Sequence, residues 1–162
     1  DTLLSIPSFL MALIIIAILG TGFNNVAFAI TLSLIPQFIF VTRNAVHEEW
    51  HKDYVTASRL NGCSKAYLLY RVILPNVTPT LVMQLTVSLS VAIMDIAALS
   101  FLGLGIQAPT PEWGSMLARS LDEVYLSPWS MVLPGITLFI TIMSINIVGD
   151  SLRRALKERV NS

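Results

Sequence analysis

Long runs of apolar residues alternate with shorter polar stretches along these 162 residues. Four apolar segments emerge, at residues 3–19, 26–41, 77–104 and 131–149. A helix crosses the hydrocarbon core of a bilayer with about 20 apolar residues, within a range of about 17–25. The first two segments lie near the short limit, and the third has length to spare for tilt. No strand-like alternation runs through them, and helices satisfy their own backbone in lipid. The pattern predicts an all-α integral membrane protein with four spans. Between the first two segments, the uncharged turn Gly20-Thr21-Gly22-Phe23-Asn24-Asn25 is too short to hold a domain, so these helices should be antiparallel neighbours.

The polar interval before the third span is different. Residues 54–76, YVTASRLNGCSKAYLLYRVILPN, are basic and helix-prone, too charged for lipid and too long for a turn. Tyr54 to Leu60 is helix-compatible, Gly62 permits a sharp change of backbone direction, and Ser64 can cap a second helix reaching about Ile73. Pro75 suits the first position of the next helix, where its missing N–H costs nothing. Two short helices hinged at a glycine and lying at the membrane surface are therefore expected. Composition alone also allows an interfacial amphipathic anchor.

Composition sharpens the class. Apolar residues make up 54% of the chain and charged residues 12%, against about 25% charged in soluble domains. Zero formal net charge gives no sign of a nucleic-acid partner. Cys63 is the only cysteine, which excludes an internal disulfide and a thiolate metal cluster. The chain opens on Asp1, with no basic region or cleavage site before its first apolar run. It does not read as a signal peptide, and a missing N-terminal portion is expected.

Charge sets the orientation. Arg43, Lys52, Arg59, Lys65 and Arg71 lie between spans two and three, and Arg153, Arg154, Lys157 and Arg159 follow span four. Only Arg119 lies between spans three and four, beside Glu112, Asp122 and Glu123. The positive-inside rule puts residues 42–76 and the tail 150–162 in the cytoplasm, and the loop 105–130 outside. With four spans the start of the chain is cytoplasmic too.

Candidate chemistry is sparse. His47-Glu48-Glu49-Trp50-His51 fits H-E-x-x-H, in which two histidines share a helical face and can hold zinc while the glutamate acts as general base. These are the only two histidines, and Asp53 and Asp150 are weak third ligands. A solvated juxtamembrane helix with an interfacial Trp50 explains the same residues. No P-loop and no nucleophile elbow occurs. Asp95 stands in mid-span, where a carboxylate costs a few kcal/mol unless it faces protein or water. It reads either as a translocation-path residue or as a packing residue paired with Asn146 or a serine. Thr86, Ser88 and Ser90 are candidates for interhelical glue. Residues 103–114 carry three glycines and two prolines, forcing an irregular turn that Trp113 and Trp129 can anchor at the interface. That turn is either an outer gate or docking surface, or an ordinary outside loop.

The polar interval resembles the cytoplasmic E-A-A-x3-G-x9-I-x-L-P motif of ATP-binding-cassette importer permeases. Thr56-Ala57-Ser58 stands for E-A-A, Gly62 for the glycine, and Val72, Leu74 and Pro75 for I-x-L-P, at matching spacing. Threonine replaces the glutamate, so that carboxylate is missing at position 56. Leu99-Ser100-Phe101-Leu102-Gly103-Leu104-Gly105, Pro111-Glu112-Trp113-Gly114 and Asn146-Ile147-Val148-Gly149-Asp150-Ser151-Leu152-Arg153 resemble the dipeptide/oligopeptide/nickel branch. Asp95 holds the place of a carboxylate usual in that branch. The Asp95-Ile96-Ala97-Ala98-Leu99 run and the opening Asp1-Thr2-Leu3-Leu4-Ser5-Ile6-Pro7-Ser8 are most similar to Sap-type peptide permeases.

The resemblance implies a six-span permease bundle with short cytoplasmic coupling helices, of which residues 1–162 would be the last four spans. It implies an inner-membrane location and a non-enzymatic chain that moves peptides by alternating access. The implied partners are a second permease subunit, two ATPase subunits carrying ATP and Mg, a periplasmic binding protein, the peptide substrate and lipid. No cofactor, metal or nucleic acid is implied for this chain. By the same resemblance Tyr54, Thr56, Ala57, Ser58, Gly62, Val72, Leu74 and Pro75 would couple to the ATPases. Asp95 would serve the path or packing, and Pro111, Glu112, Trp113 and Gly114 a periplasmic gate or docking surface. A nickel or metal-complex permease is the alternative within transport. A zinc metalloprotease built on His47 and His51 and a structural membrane anchor are alternatives of other classes.

Overall fold

The computed structural model describes residues 6–161, and every regular element among them is helical. The helices are α1 (Ser8–Leu19), α2 (Phe23–Trp50), α3 (Asp53–Leu60), α4 (Lys65–Phe101), α5 (Trp113–Ser120) and α6 (Trp129–Asn161). Helices α2, α4 and α6 are long and apolar enough to cross a membrane. Only 11% of the apolar window in each of α4 and α6 is buried among the described residues, as fits a helix that faces an apolar surrounding.

The first expected span is shorter than its apolar run. Pro7 occupies the N-cap of α1 and Gly20 its C-cap, leaving 12 helical residues, while residues 3–5 of the run lie outside the described residues. The Asn25 side-chain amide donates to the carbonyls of Leu19 (2.8 Å) and Gly20 (3.2 Å), tying the turn to the end of α1.

Pro75 does not start a helix. Helix α4 runs through it without a break, entered by a π-helical stretch, Leu68–Ile73, in which the Leu74 N–H reaches back to the Leu69 carbonyl. A proline ring and its missing N–H oppose a regular α-helix at the preceding turn. The wider π turn changes the hydrogen-bond register there, so the helix can continue. The expected pair of short surface helices is thus one short helix, α3, followed by the first turns of a spanning helix.

Two compact units make up the chain. One combines the residues up to Pro36 with Ser88–Ile145, and its core is Ala12 and Ile16 of α1, Val26, Ala29, Ile30 and Leu34 of α2, and Leu99 of α4. Helices α1 and α2 are neighbours through this core, as the short turn requires. The other combines Gln37–Val87 with the residues from Asn146 onward, around Val55, Leu68, Ile73 and Val77. Hydroxyls along the helices mostly bond within their own helix. Thr86 donates to the Val82 carbonyl (2.9 Å), so it is not the interhelical hydrogen-bonding glue its sequence suggested. Its methyl and hydroxyl instead fill the space over Gly149 of α6, where an added Cβ would overlap them.

Candidate functional site

The unit containing residues 37–87 holds the segment that the motif marks. Helix α3 buries Val55 completely against Leu68, Ile73 and Val77, with Ala45, Val46 and Trp50 of α2 packed around them. Burial of one valine contributes roughly 1.5–3 kcal/mol, enough to seat a two-turn helix that has little stability alone. The side chain of Ser64 accepts from the Tyr67 N–H (3.2 Å), the cap expected from sequence. Gly62 has φ +82°, a left-handed conformation that other residues rarely adopt, and open space lies around it.

Polar clamps fasten α3 to the end of α2. Glu49 is 8% exposed; it accepts from Lys52 Nζ at 2.7 Å and from the Tyr54 hydroxyl. Burial, and then the Glu49 carboxylate beside it, hold the Tyr54 phenol above its ordinary range. The Arg59 guanidinium lies over the Trp50 ring, 5.3 Å from its centroid. Neither Glu49 nor Val55 was identified from sequence. The glutamate looks like one more charge in a mixed run, and its signal is only that Tyr54 follows five residues later.

The outward face of the same segment carries the motif residues. Thr56, Ala57, Gly62, Leu74 and Pro75 are exposed, Ser58 and Val72 are half-buried, and Tyr54 lies at the edge of the clamp. Leu60 is 85% exposed and Tyr70 66% exposed beside them. Large apolar side chains on a segment too charged for lipid form a surface suited to another protein.

His47 and His51 meet edge to face, with ring centroids 4.6 Å apart, and His51 Nδ1 donates to the His47 carbonyl at 2.8 Å. No group of three His, Cys, Asp or Glu side chains suited to a metal occurs among the described residues. Among the described residues the two histidines are thus joined by no third such side chain.

The unit containing residues 88–145 holds the second motif region. Helix α4 ends with the N–H groups of Leu104 and Gly105 both reaching the Leu99 carbonyl at 2.9 Å. The buried Ser100 hydroxyl then accepts from the Ile106 N–H (2.9 Å), and Gln107 Nε2 donates to the Ser100 carbonyl (3.1 Å). Glu112 caps α5 by accepting from the Ser115 N–H at 2.8 Å. Gly114 is packed so closely on α4 that a Cβ would overlap the Ala97 carbonyl oxygen and lie 2.7 Å from Ala97 Cα. Pro111, Glu112 and Trp113 join Ile93, Ile96 and Met116 around a cavity of about 380 Å³. Asp95 is half-buried on α4, with Oδ2 shielded from solvent and without a hydrogen-bond partner among the described residues.

A family model described as "Binding-protein-dependent transport system inner membrane component" matches residues 1–162. The chain is 45% identical over 156 residues to "Peptide transport system permease protein SapC" of Escherichia coli O6:H1, covering 96% of this chain and 53% of that protein. It is 46% identical over 162 residues to "Di/tripeptide transport system permease protein DppC" of Pseudomonas aeruginosa, covering 100% of this chain and 54% of the relative. The "Dipeptide transport system permease protein DppC" of Escherichia coli K12 is 41% identical over 160 residues, 99% of this chain and 53% of the relative. The chain spans about half the length of the curated relatives it matches.

Proposed function

The chain belongs to the family of binding-protein-dependent transport system inner membrane components, and from that premise we propose that it forms part of a permease subunit moving peptides by alternating access. The observation that carries the reading is the clamped α3 segment. It is seated from within by Val55 and Glu49 and presents Leu60, Tyr70, Thr56, Ala57, Leu74 and Pro75 outward. Such a segment transmits force only if it is rigid toward its own subunit and adhesive toward another. The buried Val55 and Glu49 support the first property, and the exposed Leu60 and Tyr70 support the second.

In this reading the outward face binds an ATPase subunit in the cytoplasm, and ATP with Mg is bound and hydrolysed there, not in this chain. Two ATPases, a second permease subunit and a periplasmic binding protein complete the assembly in the inner membrane. Loop 105–130 is periplasmic, with Pro111, Glu112, Trp113 and Gly114 forming its gate or docking surface. Asp95 serves the translocation path or the packing around it. A coupling free energy requires contacts that differ between two states, and the α3 face supplies them. Peptides are the favoured cargo because the relatives named above are peptide permeases.

Gly62 provides the test. Its surroundings are open, so Gly62→Val acts through backbone strain at φ +82° and not through a clash. In the full transporter reconstituted with its partners, we expect Gly62→Val to insert and assemble while ATP hydrolysis no longer drives peptide uptake. Gly62→Asn, which tolerates the left-handed region, should retain most coupling. Normal uptake in Gly62→Val would sink the proposal.

A further inference from the structure

The histidine pair at the end of α2 has no part in the transport reading. His47 and His51 are both exposed and four residues apart, where α2 gives way to the turn before α3. Residues at this spacing share a helical face. Their ring centroids already lie 4.6 Å apart. Two imidazoles bound to one ion at about 2.0–2.1 Å have centroids about 4.5 Å apart at a right angle, and about 5 Å apart at the tetrahedral angle. The spacing therefore suits a shared ion after rotation of the side chains alone.

One of the two rings is oriented for this. A carbonyl oxygen can only accept, so the bond from His51 Nδ1 to the His47 carbonyl (2.8 Å) puts the proton of the neutral ring on Nδ1. The lone pair then lies on Nε2, which is left for a metal. Metal-bound histidines characteristically donate their other ring N–H to a carbonyl or carboxylate in this way. The His47 ring makes no hydrogen bond among the described residues, so either of its nitrogens is available. Glu48 and Asp53, exposed and in no ion pair among the described residues, add negative charge close by in the chain. The exposed Arg43, one turn before His47, opposes them.

We propose that His47 and His51 chelate a divalent transition-metal ion of the class that favours imidazole, Cu²⁺, Ni²⁺ or Zn²⁺. A zinc protease needs a third protein ligand, and none joins the pair among the described residues. A two-histidine chelate needs none; water fills the remaining positions, and the ion exchanges with solution. An ion bridging residues 47 and 51 spans Glu49 and Trp50, the α2 residues that hold α3. It braces the end of the helix on which that clamp is built. The site does not depend on the nature of the transported cargo.

Cu²⁺ binding to the whole transporter, purified with its partner subunits and without a polyhistidine tag, tests this. The difference between wild type and the His47→Ala/His51→Ala pair isolates the site from any copper held elsewhere. In electron paramagnetic resonance, the Cu²⁺ lost in the double variant should carry two imidazole nitrogens. Either single variant should weaken binding about a hundredfold, the lower end of the gain from holding two donors on one frame. Arg43→His in the His51→Ala chain rebuilds a pair four residues apart with His47, and should recover about tenfold or more. Glu48→His in the same chain keeps two histidines, but at adjacent positions that do not face each other, and should recover nothing. Millimolar Mg²⁺, which takes oxygen ligands, should not displace the Cu²⁺. No copper lost in the double variant, wild-type affinity in either single variant, recovery with Glu48→His but not Arg43→His, or displacement by Mg²⁺ would each overturn the assignment.

Discussion

The two units of this chain are held together by different means. In the unit that contains residues 88–145, the tightest contact is between backbones, and a buried serine supports it. Gly114 lies on the Ala97 carbonyl, Gly105 packs on Ser100, and the Ser100 hydroxyl holds the Ile106 N–H. In the unit that contains residues 37–87, the tight glycine contact, Gly149 on Thr86, is against a side chain, and the rest of the work falls to charged and aromatic side chains at the end of α2. A backbone contact has no rotamer to adjust, so it sets geometry with little tolerance. A clamp of long side chains holds α3 firmly yet keeps rotamers that can rearrange. The first arrangement suits a fixed turn beside a membrane helix, and the second leaves α3 held by groups that can adjust.

The comparison breaks most readily at Gly114. A methyl group there meets a main-chain oxygen that cannot rotate away, so Gly114→Ala must push α5 off α4. Overpacking of this kind costs typically about 1–3 kcal/mol and occasionally more, and we expect a value of about 3 kcal/mol or above. Thermal unfolding of the purified transporter should show the loss, and α5 should become protease-sensitive. A neutral Gly114→Ala would mean that this contact does not set the loop.

Gly149→Ala asks whether the same device is equally strict in the other unit. Here the obstacle is the Thr86 side chain, whose methyl and hydroxyl an added Cβ would overlap. The expected cost is about 2 kcal/mol, and Thr86→Ala in the same chain should recover part of it by removing two of the three crowding atoms. Additive losses in the double variant would show that the two residues do not touch.

Much of this was legible in the pattern of residues, for identifiable reasons. Apolar length revealed α2, α4 and α6, because a span needs little more than continuous hydrophobicity. The spacing from Thr56 to Pro75 marked residues of which Thr56, Ala57, Gly62, Leu74 and Pro75 are exposed, because a locally spaced motif is visible without the fold. What stayed hidden depends on where the chain returns in space. Glu49 looks solvated until α3 folds back and brings Tyr54 to it. Gly114 and Gly149 look like helix breakers or incidental glycines until another helix is seen against them. Pro75 looks like a helix start because a π turn that carries a helix through proline has no obvious residue pattern.

Replacing Glu49 tests the clamp itself. Glu49→Ala leaves the Tyr54 hydroxyl and the Lys52 ammonium without their common acceptor. Lys52 is half exposed and Tyr54 39% exposed, so both can turn to water, and the penalty is the loss of the clamp itself, about 1 kcal/mol. Hydrogen exchange should then rise across Asp53–Leu60 while the amides of Trp113–Ser120 stay protected. Equal loosening of both helices would remove the distinction between the units.

The smallest effect concerns pH, and it belongs to one unit only. The Tyr54 phenol is held above its ordinary value, by burial first and then by the hydrogen bond and charge of Glu49. A group whose pKa is raised on folding releases its proton more readily from the unfolded chain. Its contribution is therefore fully present below the unfolded value, about 10, and declines as pH rises through and beyond it. Tyr54→Phe removes both the hydrogen bond and the titration, so it should start about 0.5–1 kcal/mol less stable at neutral pH. The gap from wild type should stay constant up to about pH 9 and narrow above about pH 10, because only wild type then loses the Tyr54 contribution. Melting temperatures of the two proteins across that range decide the matter, since the remaining tyrosines and lysines titrate in both. Parallel alkaline declines would show that Tyr54 carries no folding-linked proton, and that the clamp is held by Lys52 and Arg59 alone.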